Sequence, residues 1–243
     1  DPAKLEAAVR PVLDDAVLGP RVGFAAVAPD GTPLFSSGGG ALAPASTTKV
    51  LTSFAALSTI DPQTRFATKV VRSGDDLVLV GGGDPYLSTK PAARGGDRVF
   101  QADLTTLARR TAASLKASGT TTVRLRYDTS LFTGADASPA WEPDYVTANI
   151  VTRVSALWAD QGISNGVRAA DPADAAARTF ARLLADRGVR VTGDPAPATA
   201  AAGAPVVGEV RSATLAQIVE TLIRISDNEA AEVVLRHVAK AAG

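Results

Sequence analysis

A cation occupies the first turn of an apolar helix near the start of the chain. Residues 43–57 (APASTTKVLTSFAAL) combine a proline and a Ser/Thr cluster, a helix start signal, with an apolar face of Val50, Leu51, Phe54 and Leu57 at helical spacing. First turns favour acidic side chains, because their N–H groups carry partial positive charge, and a capping box would place Glu or Gln at position 49. Ser46 and Lys49 share a helix face, so the amine can reach the hydroxyl. The pattern is typical of a serine nucleophile activated by lysine; a serine cap with a solvated lysine is the structural alternative.

A second polar motif, Ser226-Asp227-Asn228, stands between two apolar helices. One interpretation is a capping box, with Ser226 and Glu229 satisfying the first N–H groups of the last helix. The other places Ser226 and Asn228 across a cleft from Ser46 and Lys49, where the hydroxyl relays a proton and the carboxamide holds a substrate amide. The two interpretations are compatible. The combination of both motifs is much rarer than either, and it is the signature of penicillin-binding proteins and class A β-lactamases.

Helical and strand patterns are mixed along the chain, which predicts an α+β fold. Trp141, Tyr145 and Trp158 are predicted packing anchors in an irregular stretch, and residues 194–207 are predicted to form a linker or long loop. The predicted helices cover residues 2–17, 103–116 and 171–187 and three runs that begin at Ser46, Ser212 and Ser226. Asp103, Asp171 and Ser212 are predicted helix caps. The predicted strands cover 22–28, 34–36, 66–72, 77–80, 121–127 and 189–191. The first two strands are predicted to pair as a hairpin through a turn at 29–31, and the next two as a hairpin through a turn at 73–75.

The chain resembles the D-alanyl-D-alanine carboxypeptidase/endopeptidase family, the class C low-molecular-mass penicillin-binding proteins. Beyond the two motifs, the resemblance rests on residues 77–85 (LVLVGGGDP), on 123–132 with Asp128, and on Asp171-Pro172 with its alanine-rich helix. The long separation between Ser46 and Ser226 also fits, because this family inserts extra domains between the motifs.

The resemblance implies a serine acyltransferase domain of the penicillin-binding/β-lactamase type, an antiparallel sheet with helices that carries a large insertion. Residues 1–60 and 206–243 are expected to form the penicillin-binding domain. Residues 61–205 are expected to form the inserted region, either as one unit or as two subdomains.

One family motif, Lys-Thr-Gly, is missing. Thr133-Gly134 and Thr192-Gly193 are present, but neither follows a lysine or histidine. We expect that the C-terminal part of the domain is absent from this chain. That part would carry the strand that holds the substrate carboxylate, so this chain alone is expected to be inactive. The lack of a starting methionine leads us to expect a mature chain after signal-peptide cleavage, or a trimmed sequence.

The resemblance implies a serine-type D-Ala-D-Ala carboxypeptidase that acts on peptidoglycan stem peptides through an acyl-enzyme. Ser46 would be the nucleophile and its backbone N–H half of the oxyanion hole, and Lys49 would be the base. Ser226 would relay the proton, and Asn228 would hold the acyl amide. β-Lactams would acylate Ser46. Two alternatives stay open: a catalytically silent wall-binding or scaffolding relative, and a β-lactamase or esterase.

Composition removes several other classes of function. Equal numbers of Lys+Arg (25) and Asp+Glu (25) leave no basic field for nucleic acid. The chain has no cysteine and one histidine, His237, for which a structural or surface role is expected. We expect no metal and no cofactor, since Asp84, Asp128 and Asp171 each have a turn or cap explanation. No apolar run approaches the length of a membrane span. The expected location is outside the cytoplasm, in the periplasm or cell wall or on the extracellular side of a bacterial envelope.

Overall fold

Two units make up the computed structural model, which describes residues 1–92 and 99–243. The first unit, Asp1–Ser46, contains a helix and a hairpin. Helix α1 (Pro2–Leu13) is capped by Asp1, whose carboxylate accepts the Ala3 N–H at 2.9 Å. Strands β1 (Phe24–Val27) and β2 (Pro33–Ser37) pair antiparallel. The helix and the hairpin predicted for this region are both confirmed.

The second unit, Thr47–Gly243, is built around one mixed sheet with helices. Its helices are α2 (Thr48–Thr59), α3 (Leu104–Ala117), α4 (Pro172–Ala185), α5 (Leu215–Ile225) and α6 (Asn228–Ala242). Its strands are β3 (Arg65–Ser73), β4 (Asp76–Val80), β5 (Thr122–Asp128), β6 (Ile163–Ser164), β7 (Val167–Arg168), β8 (Arg190–Val191), β9 (Ala196–Pro197) and β10 (Val206–Thr214).

The main sheet has the strand order β10-β3-β4-β5-β8, with β9 also paired to β5. The hairpin predicted from 66–72 and 77–80 is confirmed, since β3 and β4 pair antiparallel through a turn at Gly74. The sheet is not purely antiparallel, however, because β5 pairs parallel with β4, β8 and β9. Helix α3 connects β4 to β5 and helix α4 connects β5 to β8, and a helical crossover returns the chain in the same direction. The α+β class is confirmed.

Apolar clusters form the core of the second unit. The largest packs α3 and α4 against the sheet, a second joins α2, α5 and α6, and a small third one packs Trp158 against Val154 and Val233. Asp103 and Asp171 cap α3 and α4 as the sequence predicted. The largest buried side chains include Trp158, a predicted anchor, together with Phe180, Leu77, Leu79, Leu104, Leu107, Leu115, Leu125, Leu157, Leu184 and Leu215.

Three local predictions need correction or refinement. Ser212 does not cap a helix; it is buried in β10, and its hydroxyl accepts the Phe66 N–H at 2.8 Å. Because β10 continues to Thr214, the helix starts later, and Thr214 and Gln217 form its capping box. The predicted linker 194–207 contains β9, because its backbone reaches the open edge of β5.

The division into a penicillin-binding domain and an inserted region stays a prediction. In the structure, β10 belongs to the predicted segment 206–243, and β3 belongs to the predicted insertion 61–205. These two strands pair over most of their length. Across residues 1–92 and 99–243, no helix combines the length and the apolar character needed to cross a bilayer.

Candidate active site

Helix α2 begins without the usual stabilising features. Its N-cap residue, Thr47, has a helical backbone conformation, and in the part of the chain that the structure describes its side chain makes no capping hydrogen bond. The first turn contains no acidic residue. Lys49, the second residue of the helix, is only 8% exposed. The favourable charge for this position is negative, so the charge preference of a helix start does not explain the buried amine.

The buried face of α2 differs from the predicted one. The apolar residues Val50, Leu51, Phe54 and Leu57 are exposed, whereas Lys49, Ser53 and Ala56 are buried. Helices α5 and α6 are the neighbours of α2 within the second unit. The small side chains of Ser53 and Ala56 allow a close approach of these helices, and Lys49 lies on the same face one turn before Ser53.

Ser46 lies in the short 3₁₀ turn Ala45–Thr47 that immediately precedes α2. It is exposed, and it is the last residue of the first unit. The serine is therefore outside the α-helix that was predicted to start with it. A hydrogen bond between Ser46 and Lys49 stays a prediction.

The turn between α5 and α6 corrects the capping-box interpretation. Ser226 does not cap α6; it ends α5 in the left-handed conformation, with φ 57° and ψ 42°. Asp227 is the cap of α6, and its carboxylate accepts the Ala230 N–H at 2.9 Å. Glu229 forms an ion pair with Arg168 instead of reaching back to the turn. Ser226 is the single residue between the last residue of α5, Ile225, and the N-cap of α6, Asp227. It therefore terminates α5 and does not cap α6.

The structure brings the two sequence motifs together through Lys49 and Ser226. The Lys49 Nζ donates to the Ser226 Oγ at 3.4 Å, although the residues are 177 positions apart. This distance exceeds the usual range of about 2.7–3.2 Å, so the contact is a long one. Asn228 is the first residue of α6, two positions beyond Ser226, and its side chain is exposed.

The carboxylate of Asp227 is the negatively charged group of this turn that contacts a distant part of the chain. It accepts two contacts from the Gln161 Nε2, at 3.0 and 2.8 Å. Burial and this nearby negative charge raise the pKa of the Tyr86 phenol, which therefore stays protonated. Two residues earlier, burial raises the pKa of Asp84 to about 7, while its Oδ1 accepts the Tyr86 N–H at 2.9 Å.

No local signal in the sequence predicts a role at the site for Gln161, Arg168 or Tyr86. Gln161 and Arg168 belong to an irregular stretch without hydrophobic periodicity, so no local signal connects them with a turn more than 50 residues later. Tyr86 directly follows the glycine-rich segment 77–85, but nothing in its neighbours indicates which carboxylate it faces. Their contacts exist only because the chain returns to the same place.

His237 and Asp128, which were expected to be structural, make packing contacts and hydrogen bonds within the fold. His237 is buried; its ring stacks on Phe66 with centroids 3.7 Å apart, and its Nε2 is 2.8 Å from the Gly83 oxygen. Burial lowers the pKa of His237. Asp128 accepts the N–H groups of Ser130 and Ala200 at 2.8 and 2.7 Å. Within the described ranges, no group of three or more potential metal ligands is assembled.

Comparison with known families identifies the chain's relatives. The profile of the D-Ala-D-Ala carboxypeptidase 3 (S13) family matches residues 5–167 and 160–243. The chain belongs to this family. It is 36% identical over 218 residues to carboxypeptidase Rv3627c of Mycobacterium tuberculosis. It is 32% identical over 210 residues to carboxypeptidase DacB of Mycolicibacterium smegmatis. Both alignments cover 82% of this S13 chain but 44% of the relative, so the chain spans less than half of their length.

Solved structures show the same fold. Penicillin-binding protein 4 (dacB) of Haemophilus influenzae superposes with a TM-score of 0.63 at 17% identity, over 88% of this chain and 61% of that chain. The same protein complexed with a β-lactam gives a TM-score of 0.50 at 19% identity, over 82% and 56% of the two chains. The S13 chain thus has part of the penicillin-binding-protein fold.

Proposed function

We propose that this S13 chain is part of a serine-type D-Ala-D-Ala carboxypeptidase/endopeptidase that acts on peptidoglycan stem peptides through an acyl-enzyme at Ser46. The observation that carries the proposal is the contact between Lys49 and Ser226 at 3.4 Å. It joins the two motifs that the resemblance to penicillin-binding proteins requires to meet. The family membership supports the same reaction class.

The Ser46 Oγ attacks the carbonyl carbon of the penultimate D-alanine, and Lys49 accepts the hydroxyl proton. A base near the nucleophile is the general means of activating a serine. The new ester bond forms as the peptide C–N bond breaks, and the proton passes through Ser226 to the departing D-alanine amine. Water then hydrolyses the ester and returns the serine hydroxyl. The Ser46 N–H supplies one donor to the oxyanion.

The contact with Ser226 supports Lys49 as the proton acceptor, because it joins the amine to the hydroxyl proposed to relay the proton. Asn228, exposed at the start of α6, is available to hold the acyl amide of the substrate. β-Lactams would enter the same reaction as acylating inhibitors and form an ester with Ser46. The substrate lies outside the cytoplasm, so the protein is proposed to be exported to the periplasm, the cell wall or the extracellular side of the envelope.

Ser46→Ala in the full-length protein tests the nucleophile. We expect labelling by a fluorescent penicillin to disappear, because no acyl-enzyme can form. Ser53→Ala is the matched control, since it removes another hydroxyl from the adjoining helix, and labelling should persist. Labelling of the Ser46→Ala protein at the wild-type level would show that the nucleophile is a different residue.

Two further measurements separate this proposal from the alternatives. Release of D-alanine from a peptide ending in D-Ala-D-Ala is expected for the peptidase and not for a silent wall-binding relative. Rapid turnover of nitrocefin would instead indicate a β-lactamase. A penicillin-binding protein acylates and then stalls, so the expected nitrocefin turnover is slow.

A further inference from the structure

The backbone at Ser226 is strained and needs support from outside the turn. A non-glycine residue in the left-handed region brings its Cβ close to the following carbonyl oxygen, and helices that end this way usually do so with Gly or Asn. Local bonds hold part of the turn: the Asp227 N–H donates to the Leu222 oxygen at 2.9 Å. The carboxylate of Asp227 and the side chain of Glu229 are held from elsewhere in the chain.

The first external contact comes from Gln161. Its Nε2 lies 2.8 and 3.0 Å from the two carboxylate oxygens of Asp227, the residue after Ser226. The amide therefore bridges both oxygens, and the carboxylate keeps its capping bond to Ala230 as well. A hydrogen bond to a charged group is stronger than a neutral one. Gln161 therefore restrains the direction of the Asp227 side chain, one residue after Ser226.

Gln161 is itself held in place. Asp160, Gln161 and Gly162 have consecutive positive φ values of 52°, 53° and 72°. The Thr152 hydroxyl donates to the Gln161 oxygen at 2.8 Å. The Asp160 carboxylate accepts the Thr89 N–H at 3.1 Å. Two adjacent non-glycine residues in this region are costly, and such strain concentrates at functional sites.

The second external contact comes from Arg168 on β7. Its guanidinium pairs with Glu229 in the first turn of α6, and the two side chains are 18% and 12% exposed. Asn149 fixes the β7 backbone, because its Oδ1 accepts the Arg168 N–H at 2.7 Å. The ion pair is thus largely buried, and the backbone that carries Arg168 is held by Asn149. Gln161 thus binds Asp227 and Arg168 binds Glu229, the two acidic residues on either side of Asn228.

We infer that Gln161 and Arg168 are positioning residues that keep the Ser226 hydroxyl and the start of α6 in position beside the Lys49 amine. The inference rests on the proposed function, because it treats Ser226 as a participant in the acyl transfer. Neither residue needs to touch the substrate. Their contribution is geometric: a displacement of about 1 Å at a catalytic group can lower a rate roughly a hundredfold.

An amide–carboxylate exchange tests the Gln161 contact in the full-length protein. Gln161→Glu keeps the shape but sets two carboxylates against each other. We expect the rate of acylation by a fluorescent penicillin to fall about tenfold to a hundredfold. The double variant Gln161→Glu/Asp227→Asn restores one donor and one acceptor, and Asn remains a good helix cap. We expect its rate to return to within about threefold of the wild type, as coupled neighbours do.

Arg168→Gln tests the second contact, and Arg153→Gln is its matched control. Arg153 lies in the same irregular stretch and forms an ion pair with Asp136, but these side chains are 40% and 54% exposed. We expect acylation to slow for the Arg168 variant and to stay at the wild-type rate for the Arg153 variant. A melting curve for each variant sets the assay temperature, so that only folded protein is compared.

Amide hydrogen exchange over residues 222–231 gives a readout that does not depend on catalysis. We expect faster exchange there in the Gln161→Glu protein and recovery in the double variant. If the wild type is not acylated at all, the proposed function fails, and exchange alone decides the positioning inference. The inference would be overturned if the Gln161→Glu protein acylated and exchanged at the wild-type rates. It would also be overturned if the double variant did not recover the acylation rate that Gln161→Glu loses.

Discussion

The two helix starts that carry the proposed site are held in opposite ways. Helix α6 begins with a side-chain cap from Asp227 and an acidic residue, Glu229, in its first turn. Helix α2 begins with the helical residue Thr47, and its first turn carries the buried cation Lys49 and no acid. Every polar residue at the start of α6 except Asn228 has a stabilising or conformational explanation. At the start of α2, stability alone would select the opposite charge.

The difference between the two helix starts indicates which of their residues are functional and which are structural. A residue that breaks a local rule without stabilising its surroundings is more informative than one that satisfies the rule. By that standard Lys49 is the stronger indication of function, and the polar residues of the α5–α6 turn are the support around it. The contact between Lys49 and Ser226 joins the two helix starts.

The largest expected effect comes from removing the amine at the start of α2. Lys49→Met should slow acylation by a fluorescent penicillin by roughly 10²–10⁴, the usual contribution of a positioned proton acceptor. The same change should leave stability equal or higher by about 0.3–1 kcal/mol, because a cation leaves the positive end of the helix. Stopped-flow labelling and urea unfolding measure the two effects.

Lys116→Met is the control for that experiment. Lys116 stands in the last turn of α3, where a cation is favourable. The variant should lose a little stability and keep the wild-type acylation rate, the reverse of the Lys49 result. Acylation of the Lys49→Met protein within about tenfold of the wild-type rate, well below the usual contribution of a positioned proton acceptor, would mean that another group is the base.

The next effect tests whether the start of α6 depends on distant residues. Arg168→Ala leaves Glu229 as an unpaired, largely buried charge and should lower the free energy of unfolding by about 3 kcal/mol. Arg153→Ala breaks the exposed pair with Asp136 and should cost less than about 1 kcal/mol. Urea unfolding of the two variants gives the comparison. Equal losses would show that α6 is held by its own cap alone.

The smallest effect concerns the left-handed residue itself. Ser226→Gly should be more stable than Ser226→Ala by about 1 kcal/mol, because glycine adopts φ 57° without a steric penalty. Both variants lose the hydroxyl, and both should acylate more slowly than the wild type. Unfolding free energies and acylation rates, measured together, separate backbone strain from chemistry. An alanine variant as stable as the glycine variant would mean that the turn relaxes out of the left-handed region.

Much of the fold could be predicted because its signals are local. The caps at Asp103 and Asp171 and the turn at Gly74 use residues within a few positions of each other. The α+β class followed from such signals. The parallel pairing of β4 with β5 could not be predicted in the same way, since it depends on how α3 packs across the sheet.

The candidate site divides along the same line. Ser46, Lys49, Ser226 and Asn228 could be named as candidates from two short motifs, because chemistry requires particular side chains at helix starts. The capping-box interpretation of Ser226 was wrong, because Asp227 is an equally good cap and tertiary contacts decide between the two. The apolar face of α2 was also misjudged, since burial depends on which helices lie beside it.

The order of residues alone therefore determined the helices and strands with strong local signals and the identity of the proposed reactive groups. Only the tertiary structure decided that Lys49 meets Ser226, that Ser226 is left-handed, and that Gln161 and Arg168 hold the turn around it. The physical reason is range. Caps, turns and periodicity act over a few residues, whereas a hydrogen bond between distant segments exists only after packing has brought them together.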